Sequence, residues 1–255
     1  TMDFGVTDTG FVLKSFSDIM KDIENRYKAR LQDKKVRQAI LHAINKQELT
    51  QDFLKGHVTP ADGAFLDSSI YSSGTFANKQ YQPEMTKQLL AEAGYQTKNA
   101  DGILVNTQNE PLQIVLKTYK RLANEKIATA LQQQFKQVGI DLKVDIQEKV
   151  DGLNQLDYDI ALASALTLPT GDPHYFLAAT LSSDGALNYV KNADSWLDEK
   201  ISTLGHEVDA DKTRSEVEEI QDYARDEAVV DYIGFVNLHG AMNNYIHNFE
   251  LSPSD

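Results

Sequence analysis

The side chains that could do acid–base or metal chemistry are six histidines and 38 aspartates and glutamates, and their spacing decides whether they do. His206 and Glu207 open an HExxH pattern, which on a helix would set two imidazoles on one face to grip zinc. The second histidine would have to stand at Ala210, so the grip is missing. Asp209, Asp211 and Thr213 are spaced like the start of a calcium loop. However, Arg214 occupies the position where glycine must turn, and Ile220 that of the bidentate glutamate. Asp157 and Asp159 form an acid pair of a kind expected by chance in so acidic a chain. They read as solvated strand or loop positions, because paired carboxylates catalyse only where a pocket perturbs them. No GxxxxGK[ST] cradle, no GxGxxG turn and no GxSxG elbow occurs. With no cysteine there is no disulfide framework, thiolate ligand or cysteine nucleophile. Neither catalysis nor a cofactor is expected. A hydrolase or metalloenzyme built from the scattered Asp, Glu and His is the alternative from another class.

One histidine stands apart. His174 follows Pro169, Thr170, Gly171, Asp172 and Pro173, in a loop directly after the strand-like run YDIALAS at 158–164. Ligands of open α/β sheets sit at the loops that follow strand ends. In this loop Thr170 and His174 offer polar contacts and Leu166 and Leu168 apolar ones. Asp172 and Pro173 themselves read as a helix start, with Asp at the N-cap and Pro at N1. Phe65, Tyr71 and Tyr81 flank a long loop at 57–79, where they either stack on a ligand or pin the loop. Tyr71 joins Leu166, Leu168, Thr170 and His174 as a candidate ligand-binding residue. Trp196 lies on a stripe with Leu197, Ile201 and Leu204 and reads as core.

The elements that position these residues follow from periodicity. Residues 1–16 predict a strand and 17–32 a solvated helix or connector. Val36, Ala39, Ile40, Ala43 and Ile44 recur at helical spacing behind Asp33. Asn45 with Glu48 resembles a capping box that restarts a helix ended by Gly56. Pro83 opens a helix with a Met85, Leu89, Leu90 stripe, closed by Gly94. Then come a strand at 112–119, a helix at 124–138 ended by Gly139, and a strand alternating Leu142, Val144, Ile146. This is a βαβ unit whose strands should be parallel with a right-handed crossover. Helices at 194–206 and 211–227 and a strand at 229–238 complete the reading.

At 255 residues and 41% hydrophobic the chain can bury a sizeable core. Its formal charge of −13 repels phosphate backbones, so nucleic acid is not an expected partner. No apolar run approaches the ~18 residues of a membrane helix, and no signal-peptide pattern opens the chain. The start at Thr1, Met2, Asp3 suggests a processed or truncated beginning, with any export signal outside it.

In this order the elements resemble the second half of the bacterial extracellular solute-binding proteins of the peptide/nickel family. DKKVRQAI at 33–40 with AINKQEL at 43–49 is similar to that family's VRQAL…AIDR helix pair. YQPE at 81–84 and KQLLAEAGY at 87–95 match its YDPEKAKALLAEAGY segment. ALQQQFKQVGI at 130–140, YDI at 158–160, DPHYFL at 172–177 and DEAV at 226–229 extend the likeness. The resemblance implies an α/β, type II periplasmic-binding-protein-like lobe with a mixed sheet flanked by helices. Residues 1–32 would be a hinge strand and connector, 33–228 the second ligand-binding lobe, and 229–255 a hinge strand returning toward the first lobe. It implies a monomeric, extracytoplasmic receptor, periplasmic or lipid-anchored. Its partners would be a small-molecule, metal-chelate or short-peptide ligand and the permease subunits of an ABC importer.

Pro169 stands where peptide-binding members typically carry an aspartate for the peptide's amino terminus, which turns the reading toward a metal chelate or nickel. Nickel-type members are similar at Asp172, Pro173 and His174. This chain has Leu166 and Gly171 where they place aromatic residues, and no histidine between Leu177 and Tyr189, so direct metal ligation is not expected. An oligopeptide or dipeptide receptor is the alternative within the family, and an interaction or chaperone-like module on the same fold the alternative beyond it.

Overall fold

The computed structural model describes residues 31–72 and 81–237. The expectations for 1–30, 73–80 and 238–255 lie outside the described residues.

Helix α1 (Lys34–Ala43) starts where expected, the Asp33 carboxylate accepting from the Lys35 N–H, and it buries Val36, Ala39, Ile40 and Ala43. Asn45 caps α2 (Lys46–Glu48), which runs on as a π-helical turn, Leu49–Phe53. The capping box is only half made. The Asn45 N–H is taken by the Gln134 side chain at 3.1 Å, and that amide also donates to the Asn45 carbonyl at 3.1 Å and to Glu48 at 3.3 Å.

Two corrections follow. The polar stretch at 57–79 contains a strand, β1 (Val58–Pro60), antiparallel to β7 (Gly234–Val236). Its partner lies near the far end of the described chain, so local composition gave no sign of it. The strand expected over 229–238 is only β7 itself. Helix α3 (Pro83–Glu92) buries Leu90 of the expected stripe, with Leu89 packed at the edge of the core, and adds Thr86, which the stripe did not include. The Thr86 hydroxyl is satisfied inside the α1–α3 contact by the Ala39 carbonyl at 3.1 Å, so a polar residue holds a core position.

A hairpin of β2 (Thr97–Lys98) and β3 (Leu104–Val105) precedes the βαβ unit, which is β4 (Gln113–Tyr119), α4 (Asn124–Gln137) and β5 (Asp141–Gln147). The strands are parallel, with Gln113 opposite Asp141. α4 lays Ile127, Leu131 and Phe135 into a core shared with Ile114, Leu116 and Leu142. Gly139 ends this helix at φ +88°, and a Cβ there would stand 2.9 Å from Leu104 Cγ, so glycine is required twice over. After the 3₁₀ helix Val150–Gln155 comes β6 (Ile160–Ala161), parallel to β4 on its other side, giving the order β5-β4-β6.

The buried strand expected over 158–164 is therefore cut to two half-buried residues. Side chains reinforce the backbone bonds at both ends of this short ladder. The Asp159 carboxylate accepts the Val115 N–H at 2.8 Å, and the Thr118 hydroxyl donates to the Leu162 carbonyl at 2.7 Å.

Helices α5 (Pro173–Leu181), α6 (Ser195–Leu204) and α7 (Ala210–Asp226) enclose a second core with Phe65. Trp196 sits at its rim, stacked on Tyr223 with ring centroids 3.9 Å apart. Polar groups fasten the two cores. Arg37 donates to the Glu227 carbonyl at 3.0 and 2.9 Å, closing the C-terminal end of α7. Buried Lys46 pairs with Asp231 at 2.7 Å and donates to the Ala61 carbonyl at 3.1 Å.

Phe135 is 1% exposed at the centre of the first core. Phe135→Ala should cost about 3–5 kcal/mol, the range for truncating a buried aromatic. Urea denaturation checks it, and a variant with an unchanged midpoint would contradict the assigned face of α4.

Candidate functional site

All three strands of the β5-β4-β6 sheet end at one edge, where a parallel sheet leaves backbone and loops free to meet a ligand. Two segments build it: the turn from β4 into α4, and the loop after β6. A ring of polar contacts joins them. The Tyr119 hydroxyl donates to the Ser164 carbonyl and accepts from the Ser164 N–H, both at 3.3 Å. Ser164 Oγ donates to Asn124 Oδ1 at 2.8 Å, and Asn124 Nδ2 donates back to the Tyr119 carbonyl at 3.3 Å. Asn124 is buried, so these bonds are shielded and the loop leaves the sheet at a fixed place. Sequence reading missed Tyr119, Asn124 and Ser164. The available signal was an asparagine opening a helix directly after a strand ending in tyrosine.

Beyond this ring the loop opens to solvent. Leu166 is 58% exposed, and Thr170 and Asp172 are exposed. Leu168 instead packs on the second core beside Tyr71. The Tyr71 ring lies 5.9 Å from that of Phe65, and its carbonyl accepts from Gln221 at 3.1 Å. Phe65 is itself core. Asp172 caps α5 by accepting from the His174 N–H at 2.9 Å. His174 turns its ring to the end of α6, so close to Gly205 that a Cβ there would stand 2.7 Å from Nε2. It lines a shallow depression with Ser183, Asp198 and Ser202. Asp198 accepts from the Ser183 N–H at 2.7 Å and from its hydroxyl at 2.6 Å, which holds its carboxyl below the usual range. The five candidates thus fall into three settings: Leu166 and Thr170 in the open, Leu168 and Tyr71 on the second core, His174 against α6.

Leu122, just past β4, is 63% exposed and adopts φ +49°, and Ile146, near the end of β5, is 39% exposed. With Leu166 they give the end of each strand an uncovered apolar side chain. Of the acid pair, Asp157 keeps a half-exposed loop position as expected, but Asp159 does not stay solvated. Asp157 pairs with Lys117, and Asp159 is buried against Val115.

Residues 18–188 match the family model of bacterial extracellular solute-binding proteins, family 5 Middle. The chain belongs to this family. It is 29% identical over 223 residues to the nickel-binding protein NikA of Staphylococcus aureus, covering 86% of this chain and 43% of that protein. It is 28% identical over 233 residues to the oligopeptide-binding protein AppA of Bacillus subtilis, covering 87% and 42%. The crystal structure of Staphylococcus aureus NikA in complex with Ni(L-His)2 superposes with a TM-score of 0.67 at 28% identity, over 79% of this chain and 42% of that one. The fold is thus the α/β, type II periplasmic-binding-protein-like one expected. The chain spans less than half the length of these curated relatives. No helix of the described residues is long and apolar enough to cross a membrane.

Beneath the site the Tyr158 hydroxyl donates between the carbonyls of Leu153 and Tyr189, at 2.7 Å to each. Burial first, and then the Asp157 charge, push its phenol well above the ordinary value of 10.0. Burial also raises Tyr189 and Tyr232. A folded-state pKa above the unfolded one contributes stability below about pH 10 that is lost as pH rises through the folded value. In an alkaline titration of the 11 tyrosines, exposed phenols should ionise first and the buried ones only together with loss of far-ultraviolet ellipticity. Ionisation of all of them in one step ahead of unfolding would contradict the burial of Tyr158.

Proposed function

We propose that this chain is the second ligand-binding lobe of a receptor that feeds an ABC importer of the peptide/nickel type, and that its substrate is a metal chelate, with nickel the leading metal. The lobe comprises 33–228, and the flanking segments 1–32 and 229–255 lead to the first lobe as hinge. Closure of the two lobes excludes water around the solute, and the closed form docks on the permease. No bond is made or broken. The receptor works outside the cytoplasm, in the periplasm or lipid-anchored.

The observation that carries this reading is the sheet edge itself, where a fixed polar ring supports a loop that holds Leu166 and Thr170 in the open. Leu166, Leu168, Thr170, His174 and Tyr71 are the ligand-binding residues of the proposal. Among the described residues no group of three or more His, Cys, Asp or Glu could hold a metal ion. The likeness to Staphylococcus aureus NikA, whose crystal structure holds Ni(L-His)2, supports a chelate, whose own donors surround the metal. A short peptide is the second reading. The likeness to AppA supports it, as do the uncovered side chains of Leu122, Ile146 and Leu166, which suit apolar groups of a ligand.

The test is calorimetric titration of the complete receptor with the nickel–histidine complex and with a nonapeptide. The nickel complex should bind and the nonapeptide should not. Leu166→Asp with Thr170→Ala should weaken capture at least tenfold while changing stability by no more than about 0.5 kcal/mol, as at other surface positions. Capture of the peptide alone would reverse the choice of ligand, and unaltered capture by the double variant would remove the loop from the site.

A further inference from the structure

Lysine is out of place in the middle of a parallel sheet, whose central strand is normally an apolar run. Lys117 stands there on β4, opposite Asp145 of β5 and Ala161 of β6, and is 1% exposed. Its side chain leaves the sheet on the face opposite α4, the face of Tyr119, and meets the segment between the 3₁₀ helix and β6. Nζ pairs with Asp157, reaches Asp145 Oδ2 and Gln155 Oε1 at 3.2 Å each, and lies 5.6 Å from the centre of the Tyr158 ring.

β6 pairs with β4 through two residues only. So short a ladder fixes register weakly, and a slip of one residue would turn every following side chain to the other face. The polar bonds around it supply what the ladder lacks. Gln155 and Asp157 are held by Lys117, Asp159 takes the Val115 N–H, and the Leu162 N–H donates to the carbonyl of Lys117 itself at 2.9 Å. The 3₁₀ helix is seated as tightly: a Cβ on Gly152 would stand 2.4 Å from Gln147 Cγ.

The charges around Lys117 are unequal in their access to water. The lysine is dry, whereas the side chains of Asp145 and Asp157 are 42% and 40% exposed. Removing the lysine therefore leaves two carboxylates that water can still reach, not an unpaired buried charge, so the segment is released and the fold is spared the larger penalty.

We propose that Lys117 is a positioning residue: through Asp157 and Gln155 it sets the register of β6 and so the point where the 162–172 loop leaves the sheet. The inference rests on the reading of that loop as the ligand contact, but its test needs no ligand. Hydrogen exchange read by mass spectrometry on this chain, for Lys117→Met and for Asp157→Asn, compares the amides of Leu162 and Ser164 with those of α4. Exchange at Leu162 and Ser164 should rise more than tenfold in Lys117→Met and by a smaller factor in Asp157→Asn, with α4 changing less than twofold in either. Should Lys117→Met fail to fold, Asp157→Asn alone decides by the same comparison. An equal rise across loop and helix, or no rise at Leu162 and Ser164, would overturn the proposal. Localised release with unaltered capture of the nickel–histidine complex by the complete receptor would leave Lys117 as the anchor and remove the loop from the ligand site.

Discussion

β4 has a strand on each side, and the candidate site follows from how unequally the two pair with it. Toward β5 the ladder runs the full length of both strands, from Gln113 and Asp141 to Tyr119 and Gln147. Toward β6 it covers two residues. Backbone groups left over on both sides of so short a ladder need partners, and side chains supply them: the Asp159 carboxylate takes the Val115 N–H of β4, and the Thr118 hydroxyl and the Tyr119 phenol bond to Leu162 and Ser164 beyond β6. Such bonds permit what a regular strand forbids. The chain can leave the sheet early, at Leu162, and still be held in place, and an open loop thereby gains a fixed root.

The same economy joins the two apolar cores. The two cores are separate clusters, and polar groups bridge them. Arg37 answers the carbonyl at the end of α7, a group the helix cannot satisfy itself. Lys46 is buried by the same corner that Asn45 caps and Gln134 braces, and its partner Asp231 begins the segment that leads to β7. If 229–255 is the path to a first lobe, that path is anchored to the lobe core by an ion pair with little exposure to water, which salt screens weakly. A receptor of two moving bodies needs such an anchor. Under the proposed function it would confine bending to the connecting segments and keep it out of this lobe.

What could be read in the sequence divides along physical lines. The βαβ unit was legible because α4 repeats Ile127, Leu131 and Phe135 at helical spacing, β5 alternates, and Gly139 marks the stop with a conformation few other residues take. Helix starts at Asp33, Pro83, Asp172 and Asp194 were legible because capping is local chemistry. Pairings between distant segments were not: β1 with β7 and β4 with β6 are decided by tertiary partners, and YDIALAS has a strand's composition without a strand's ladder. The loop and its exposed Leu166 and Thr170 could be located from position alone. Its root could not, because Tyr119, Asn124 and Ser164 lie in three separate elements and each is unremarkable in its own. Asp159 was misjudged for a related reason: a charge count sees its sign but not the Val115 N–H that takes it into the sheet from another strand.

Lys117 and the uncovered side chains of Leu122, Ile146 and Leu166 bear on one question, which is how a sheet edge with apolar side chains in the open stays ordered. Under the proposed function these side chains would belong to a surface that a ligand and the first lobe complete. Leu122 carries an added cost, since a leucine at positive φ is held there against its preference, of order 1 kcal/mol or more. A fold tolerates such strain where the surroundings over-determine the turn, and here they do: Asn124 bonds back to the Tyr119 carbonyl on one side, and β4 is locked to β5 on the other. The polar network beneath the edge therefore does more than hold a loop. It braces the edge on which Leu122, Ile146 and Leu166 stay exposed, and under the proposed function that is the surface a solute and the first lobe would cover.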